Sequence, residues 1–181
     1  MRTVTLFIAM SIDGFIADRD GGMDWLGGQD PDGEELSTYN QFIQGIDTVV
    51  MGWNTYEQVI NQVKEAEWPY ADMMTYVFTH RNPRARERIC FINADVCEFL
   101  RGLKMQKGGG IWICGGAEIA QQLLQAGLID VLHLNIMPTI LGNGIRLFKE
   151  REDEVPLRLL KTQSYNGITD VVYTRRNQAE E

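Results

Sequence analysis

Along residues 3–11 the chain reads TVTLFIAMS, in which Val4, Leu6 and Ile8 alternate with Thr5, Phe7 and Ala9. Both alternating sets are mainly apolar, so the segment predicts a central strand covered on two faces. DTVVMG, ending at Gly52, reads as a second strand, and Tyr56, Val59, Ile60 and Val63 follow at i, i+3, i+4 and i+7, the stripe of a helix lying on a sheet. MTYVFTH and ICFINA are two more strands on either side of the loop RNPRARER, and DVCEFLRGLK is a helix capped by Asp95, with Val96, Phe99, Leu100 and Leu103 on one face. GGGIWICGG then repeats the sequence of strand followed by glycine. Its helix, residues 117–126, turns Ile119, Ala120, Leu123 and Leu124 inward and stops at Gly127, a residue suited to a left-handed C-terminal cap. DVLHLNIMP, LRLLKTQSY and ITDVVYTRR close the chain as strands, the last two joined through the hairpin pair Asn166–Gly167.

Helices alternate with strands early and antiparallel strands finish, which predicts an α/β fold: a three-layer α/β/α domain around a mixed, mainly parallel sheet that ends in an antiparallel C-terminal hairpin. No linker, repeat or low-complexity tract divides residues 1–176, and residues 177–181 are expected to form a disordered tail. The loop RDGGMDWLGGQDPDG is long enough to be functional or mobile unless Trp25 and Leu26 pin it. It ends in a helix signal, Asp32 and Glu35 at capping-box spacing with Leu36, Tyr39 and Ile43 behind them.

Composition narrows the function classes. The 181 residues, 44% of them hydrophobic, suffice for one substantial core. No run of about 18 apolar residues occurs, and VTLFIAM is interrupted too soon by Asp13 to act as a signal sequence, so a cytoplasmic protein is expected. With 25 acidic against 17 basic residues, the net charge of −8 argues against nucleic acid and anionic membranes as partners. Three cysteines without a Cys-x-x-Cys pair, and two histidines, suggest neither a disulfide framework nor a metal site; free, mostly buried thiols are expected.

Two junctions carry the candidate chemistry. Gly52 leads into WNTYE and Gly115–Gly116 into AEIAQQ, so each could offer unpaired helix N–H groups to a phosphate where strands end. A single glycine of this kind more often only turns the chain. Two junctions, together with the basic loop HRNPRARER, point toward a dinucleotide, although neither matches the G-x-G-x-x-G fingerprint of an ordinary Rossmann domain. Within the loop, Arg81 stands nearest the strand end, whereas Arg84, Arg86 and Arg88 read as a solvated face.

Taken together, LFIAMSIDGFIAD, VVMGWNTYE, YVFTHR and IWICGGAEIAQQLLQAGLIDVLHLNIMPTILGNGIRLF resemble the dihydrofolate reductase-like superfamily over about residues 3–175. The resemblance is closest to stand-alone proteins similar to the C-terminal reductase domain of the bifunctional riboflavin-biosynthesis deaminase/reductase. It implies an NADPH-dependent reductase acting on a small pterin- or pyrimidine-like acceptor, as dihydrofolate reductase and 5-amino-6-(5-phosphoribosylamino)uracil reductase do. It also implies a set of cofactor contacts: Ala9 and Ile16 at the nicotinamide; Gly52, Asn54 and Thr55 at the phosphates; Thr79, His80 and Arg81 at the adenosine ribose and its 2′-phosphate; Gly115, Gly116, Ala117 and Glu118 under the pyrophosphate and nicotinamide. The Gly–Gly peptide is expected to be cis. Relatives are often homodimers, and the apolar C-terminal strands offer a face for such pairing.

Three departures from the family pattern stand out. Trp53 occupies the place of the usual arginine after MG, where it could stack or simply pack. Phe15 replaces the lysine that contacts substrate in the riboflavin enzymes, which weakens the case for a phosphoribosyl-pyrimidine. The H-x-E and P-C-x-x-C zinc signature of the companion deaminase is absent.

A reductase of this kind must also deliver a proton to the reduced acceptor. Glu35 aligns with the carboxylate that serves the pterin in dihydrofolate reductases, and it shares a helix face with Tyr39 and Phe42, which would line an aromatic substrate pocket. The capping box with Asp32 explains the same glutamate equally well. Asp32 is the next candidate acid; Asp13 and Asp24 are read as turn formers, Trp25 as a lid or a hydrophobic anchor, and His133 as structural. The competing class is a protein of the same fold that binds a nucleotide or other small ligand without turnover.

Overall fold

A computed structural model describes residues 1–30, 38–63, 68–150 and 153–176. In chain order the elements are β1 (Val4–Ser11), β2 (Phe15–Ala17), α1 (Thr38–Ile43), β3 (Ile46–Gly52), α2 (Trp53–Gln62), β4 (Met74–Phe78), β5 (Ile89–Ile92), α3 (Val96–Lys104), β6 (Gly110–Gly115), α4 (Ala117–Gln125), β7 (Val131–Met137), β8 (Ile145–Arg146), β9 (Leu157–Tyr165) and β10 (Ile168–Arg175). The main sheet has the order β5-β4-β3-β6-β1-β7-β10-β9. Pairing is parallel from β5 through β7, and β10 runs antiparallel to both β7 and β9.

Alternation decides which side chains meet which layer. Leu6, Val50, Ile111 and Ile113 pack with Leu100 and Leu123 of α3 and α4. Their neighbours Phe7, Val49 and Trp112 turn to the other face, where Tyr56 of α2 and Phe42 of α1 cover them. β1 is therefore sandwiched on both faces at the middle of the sheet, and the three-layer architecture expected from the pattern is present.

The local signals act where the sequence places them. Asp95 Oδ1 accepts the Glu98 N–H at 2.8 Å, capping α3. Gly127 takes φ 67° after α4, and the hairpin pair Asn166–Gly167 takes φ 47° and 76°. The ribbon formed by β2 and β8 has no counterpart in the periodicity, because strands of three and two residues are too short to show one. Free cysteines are less buried than expected: Cys90 is exposed on β5, an edge strand of the sheet among the described residues. The tail 177–181 lies outside the described residues. Among the described residues no helix is long and apolar enough to cross a membrane.

Candidate functional site

Because β3 and β6 are parallel neighbours, the helices that follow them start side by side. A Cβ built on Gly52 would lie 3.9 Å from the Gly116 nitrogen, and one built on either Gly115 or Gly116 would lie 3.4 Å from Thr55 Oγ1. Gly52 and Gly116 are the N-cap residues of α2 and α4, and neither helix has a side-chain cap. The first-turn N–H groups of both helices are therefore without the side-chain acceptor that Asp95 gives α3, and both positive dipole ends converge on one place. The Gly115–Gly116 peptide is cis, as the resemblance implies.

A cavity of about 720 Å³ opens over this junction. Ala9 and Ile16 wall it from β1 and β2. Gly52, Trp53, Asn54 and Thr55 wall it from the start of α2, and Gly115, Gly116, Ala117 and Glu118 from the start of α4. Glu118 is exposed and pairs with Lys149, Nζ to Oε1, at 2.6 Å. Thr79 and His80 instead line a second cavity of about 230 Å³ beyond the ends of β4 and β5, where His80 Nδ1 is 2.8 Å from Asn93 Oδ1. Phe78 and Ile119 belong to both cavities. Arg81 stands beside the first, its guanidinium carbon 4.7 Å from the centroid of the Trp53 ring. Arg84 and Arg88 are exposed and Arg86 is half-buried.

The remaining candidates fall elsewhere. Glu35 and Asp32 lie in residues 31–37, outside the described residues. Tyr39 and Phe42 join an aromatic cluster on the α1 side of the sheet, Phe42 stacked on Phe7 at 4.4 Å between centroids and Tyr39 edge-on to Trp112 at 5.8 Å. Trp25 donates its indole N–H to the Gly22 carbonyl at 3.2 Å. None of the three lines either cavity. Met23 and Leu26 of the same loop line the larger one instead.

Polar bonds anchor that loop. Asp18 Oδ1 accepts the N–H groups of Asp20 and Gly22, while Asn166 Oδ1 and its carbonyl accept those of Asp30 and Gln29. The S-x-D-G motif is a second anchor: Ser11 Oγ accepts the Phe15 N–H at 3.0 Å and donates to Asp13 at 2.6 Å, and Asp13 accepts the Leu141 and Gly142 N–H groups. Asp13 thus shapes turns, as its place in the sequence suggests. Phe15 is buried beneath Arg146, whose guanidinium lies 4.5 Å over its ring, and does not line the larger cavity.

Sequence reasoning named Asn54 on the larger cavity's wall but missed Glu57, Gln58 and Asn61 behind it, and Cys114. Asn54, Glu57, Gln58 and Asn61 recur at i, i+3, i+4 and i+7 on α2 and face the cavity. In the sequence such a stripe is indistinguishable from a solvated helix face. Cys114 reaches the wall where the register between β3 and β6 shifts, and no pattern announces a bulge there. Burial pushes its thiol up to about 12, against a hydrogen bond from Tyr70 that lowers it, and burial raises the Tyr70 hydroxyl as well. Both keep their protons at neutral pH, so this wall offers no thiolate nucleophile. Among the described residues no three His, Cys, Asp or Glu side chains gather as metal ligands.

The geometry agrees with what the chain is similar to. The family model for the RibD C-terminal domain matches residues 2–173. The uncharacterized protein YwjB of Bacillus subtilis (strain 168) is 39% identical over 175 residues, which cover 96% of this chain and 98% of YwjB. Among solved structures, a protein from Shewanella sp. PV-4 provisionally assigned to riboflavin biosynthesis superposes with a TM-score of 0.82 at 25% identity, covering 97% of this chain and 99% of that one. Dihydrofolate reductase from Enterococcus faecalis, complexed with NADP(H) and RAB-propyl, superposes with a TM-score of 0.66, covering 97% of each chain. At 19% identity that likeness is one of fold.

Proposed function

This chain belongs to the RibD C-terminal domain family, and on that premise we propose that it is an NADPH-dependent reductase for a small heterocyclic, pterin- or pyrimidine-like acceptor. The observation that carries the reading is the convergence of two uncapped helix N-termini at Gly52 and Gly116 on the floor of the larger cavity. An anion placed there gains about 0.3–1 kcal/mol from each helix end, and bonds from charged groups contribute about 1.5–3 kcal/mol each. Micromolar binding needs about 8 kcal/mol, so several such contacts must act together.

The residues fit a dinucleotide. At Gly52 φ is −84° and at Gly116 also −84°, values that any residue adopts, and a Cβ at either would touch nothing closer than 3.4 Å. At Gly52 the protein's own backbone and packing do not require glycine. A ligand lying against the main chain would. The amides of α2 and α4 would hold the pyrophosphate, Ala9 and Ile16 would wall the nicotinamide end, and Thr79 and His80 would receive the nucleoside in the smaller cavity. A bound dihydronicotinamide supplies the hydride. The chain's part is to orient the two reactants, exclude water and deliver a proton, for which Glu35, then Asp32, are the proposed donors.

Titrating the protein with NADPH in a calorimeter tests the first half of this reading, with micromolar binding expected. Loss of dihydronicotinamide absorbance in the presence of dihydropterins and aminopyrimidines tests the second. Absence of binding heat removes the cofactor reading; binding without turnover across the panel makes the chain a nucleotide-binding protein on a reductase fold.

A further inference from the structure

Arg81 lines neither cavity itself but touches residues of one and follows residues of the other in the chain. Trp53 and Glu57 wall the larger one, and Thr79 and His80, the residues just before Arg81, wall the smaller. Its position is set by three contacts. The Arg81 N–H is donated to Thr79 Oγ1 at 3.0 Å, the guanidinium carbon lies over Trp53 at 4.7 Å from the ring centroid, and Nη1 is 3.9 Å from Glu57 Oε1. The Arg81 and Glu57 side chains are 62% and 49% exposed, so an incoming anion can reach both.

These contacts differ in kind. A guanidinium held over an aromatic ring by a cation–π contact still has N–H donors for a second partner. The ion pair with Glu57 is long and exposed, and such pairs add little to the stability of a fold. It cannot hold Arg81 against a phosphate, which takes a guanidinium bidentately. Yet Glu57 is one helical turn from Trp53 and on the same face of α2, so its charge remains beside whatever anion Arg81 binds. Trp53 itself is held by packing: its ring meets Tyr56 at 5.3 Å and Phe91 at 6.3 Å, and its indole nitrogen is buried with no hydrogen-bond partner among the described residues.

We infer that Trp53, Arg81 and Glu57 form a selector between phosphorylated and unphosphorylated dinucleotides, with Arg81 taking the 2′-phosphate, Trp53 holding Arg81 in place as a positioning residue, and Glu57 opposing the same phosphate. The inference rests on the cofactor reading proposed above. Its consequence is that the native chain favours NADPH over NADH only modestly, and that removing the Glu57 charge sharpens the preference.

The test is a pair of calorimetric dissociation constants, for NADPH and for NADH, on the full-length protein and four variants. Glu57→Gln is expected to tighten NADPH about five-fold and leave NADH unchanged, with the gain shrinking as salt is added. Arg81→Gln is expected to weaken NADPH at least about tenfold without affecting NADH. Trp53→Ala should follow Arg81→Gln, and Trp53→Phe, which keeps an aromatic face, should restore most of the preference. A wild-type protein that binds neither nucleotide takes down the cofactor reading and this inference with it. A wild-type protein that binds both, with Glu57→Gln leaving their ratio unchanged, overturns the selector alone, and Trp53→Ala weakening both nucleotides equally overturns the positioning role.

Discussion

The backbone nitrogen of Gly116 lies 3.9 Å from where a Cβ on Gly52 would sit, which makes two strand–helix turns from separate parts of the chain into one surface. Gly115 is different from its neighbours. Its φ of 135° needs glycine for conformational reasons, whereas Gly52 and Gly116 have backbone angles open to any residue. At these last two positions the missing side chains leave room above the main chain.

Gly52→Ala separates the two uses of glycine. The added methyl meets Ile119 Cγ1 at 3.5 Å and the Gly116 nitrogen at 3.9 Å, both ordinary contacts, and the reduced freedom of the unfolded chain offsets the poorer N-cap, so stability should stay within about 1 kcal/mol of wild type by urea denaturation. Affinity for NADPH should fall at least about tenfold. Unchanged affinity would move the phosphate site away from this turn.

Asp13 should give the protein part of its acid limit. The Ser11 hydroxyl, then the Gly142 and Leu141 N–H groups, hold its carboxyl at about 2, although partial loss of water around it works the other way. The folded value lies below the unfolded one, so this contribution is complete above about 3.8 and is lost as pH falls toward about 2. Asp13→Asn should flatten that stretch of the stability–pH curve and speed amide exchange at Leu141 and Gly142.

His133 works at a higher pH. Its Nε2 lies 2.6 Å from Asp170 Oδ1 on the neighbouring strand, and Asp170, 2% exposed, also accepts the amides of Asn135 and Gln163. Burial lowers the imidazole below its ordinary 6.5, and the nearby carboxylate only partly opposes this. The unfolded chain therefore takes up a proton that the folded chain does not, and stability should fall as pH drops through about 6.5. His133→Gln should remove that slope in thermal melts recorded across this window.

Asn166 has two separable roles. Its φ of 47° serves the hairpin, and its side chain exchanges hydrogen bonds with the Asp30 backbone. Asn166→Gly keeps the left-handed turn and removes only the second. Global stability should change by less than about 1 kcal/mol, while the amide of Asp30 should exchange faster. A large loss of global stability would show that the loop anchor is part of the cooperative core.

Much of the fold was legible in the chain, because alternation and helical periodicity report directly which residues face inward. Leu6 and Phe7, or Val49 and Val50, could be sent to opposite faces from their order alone, and Asp95, Gly127 and Asn166–Gly167 announced their turns through local chemistry. The junction glycines were legible for the same reason, since a strand pattern, then glycine, then a helix pattern is a local arrangement. The polar stripe of α2 was not, because the side of a helix that faces a cavity carries the same residues as the side that faces water. Glu57 was passed over on that account, and Met23 and Leu26 line the cavity from the loop in which Trp25 was read as a lid or an anchor.

The sequence by itself determined which segments become strands and helices, where each is capped or turned, and that two helices begin behind bare glycines. Only the tertiary structure decided that those two beginnings touch, that Arg81 rests on Trp53 beside Glu57, and that His133 reaches Asp170 across β7 and β10. Periodicity specifies the face a residue presents and carries no record of the partner it meets. The partner is fixed by strand order and register, which arise from contacts between parts of the chain distant in sequence.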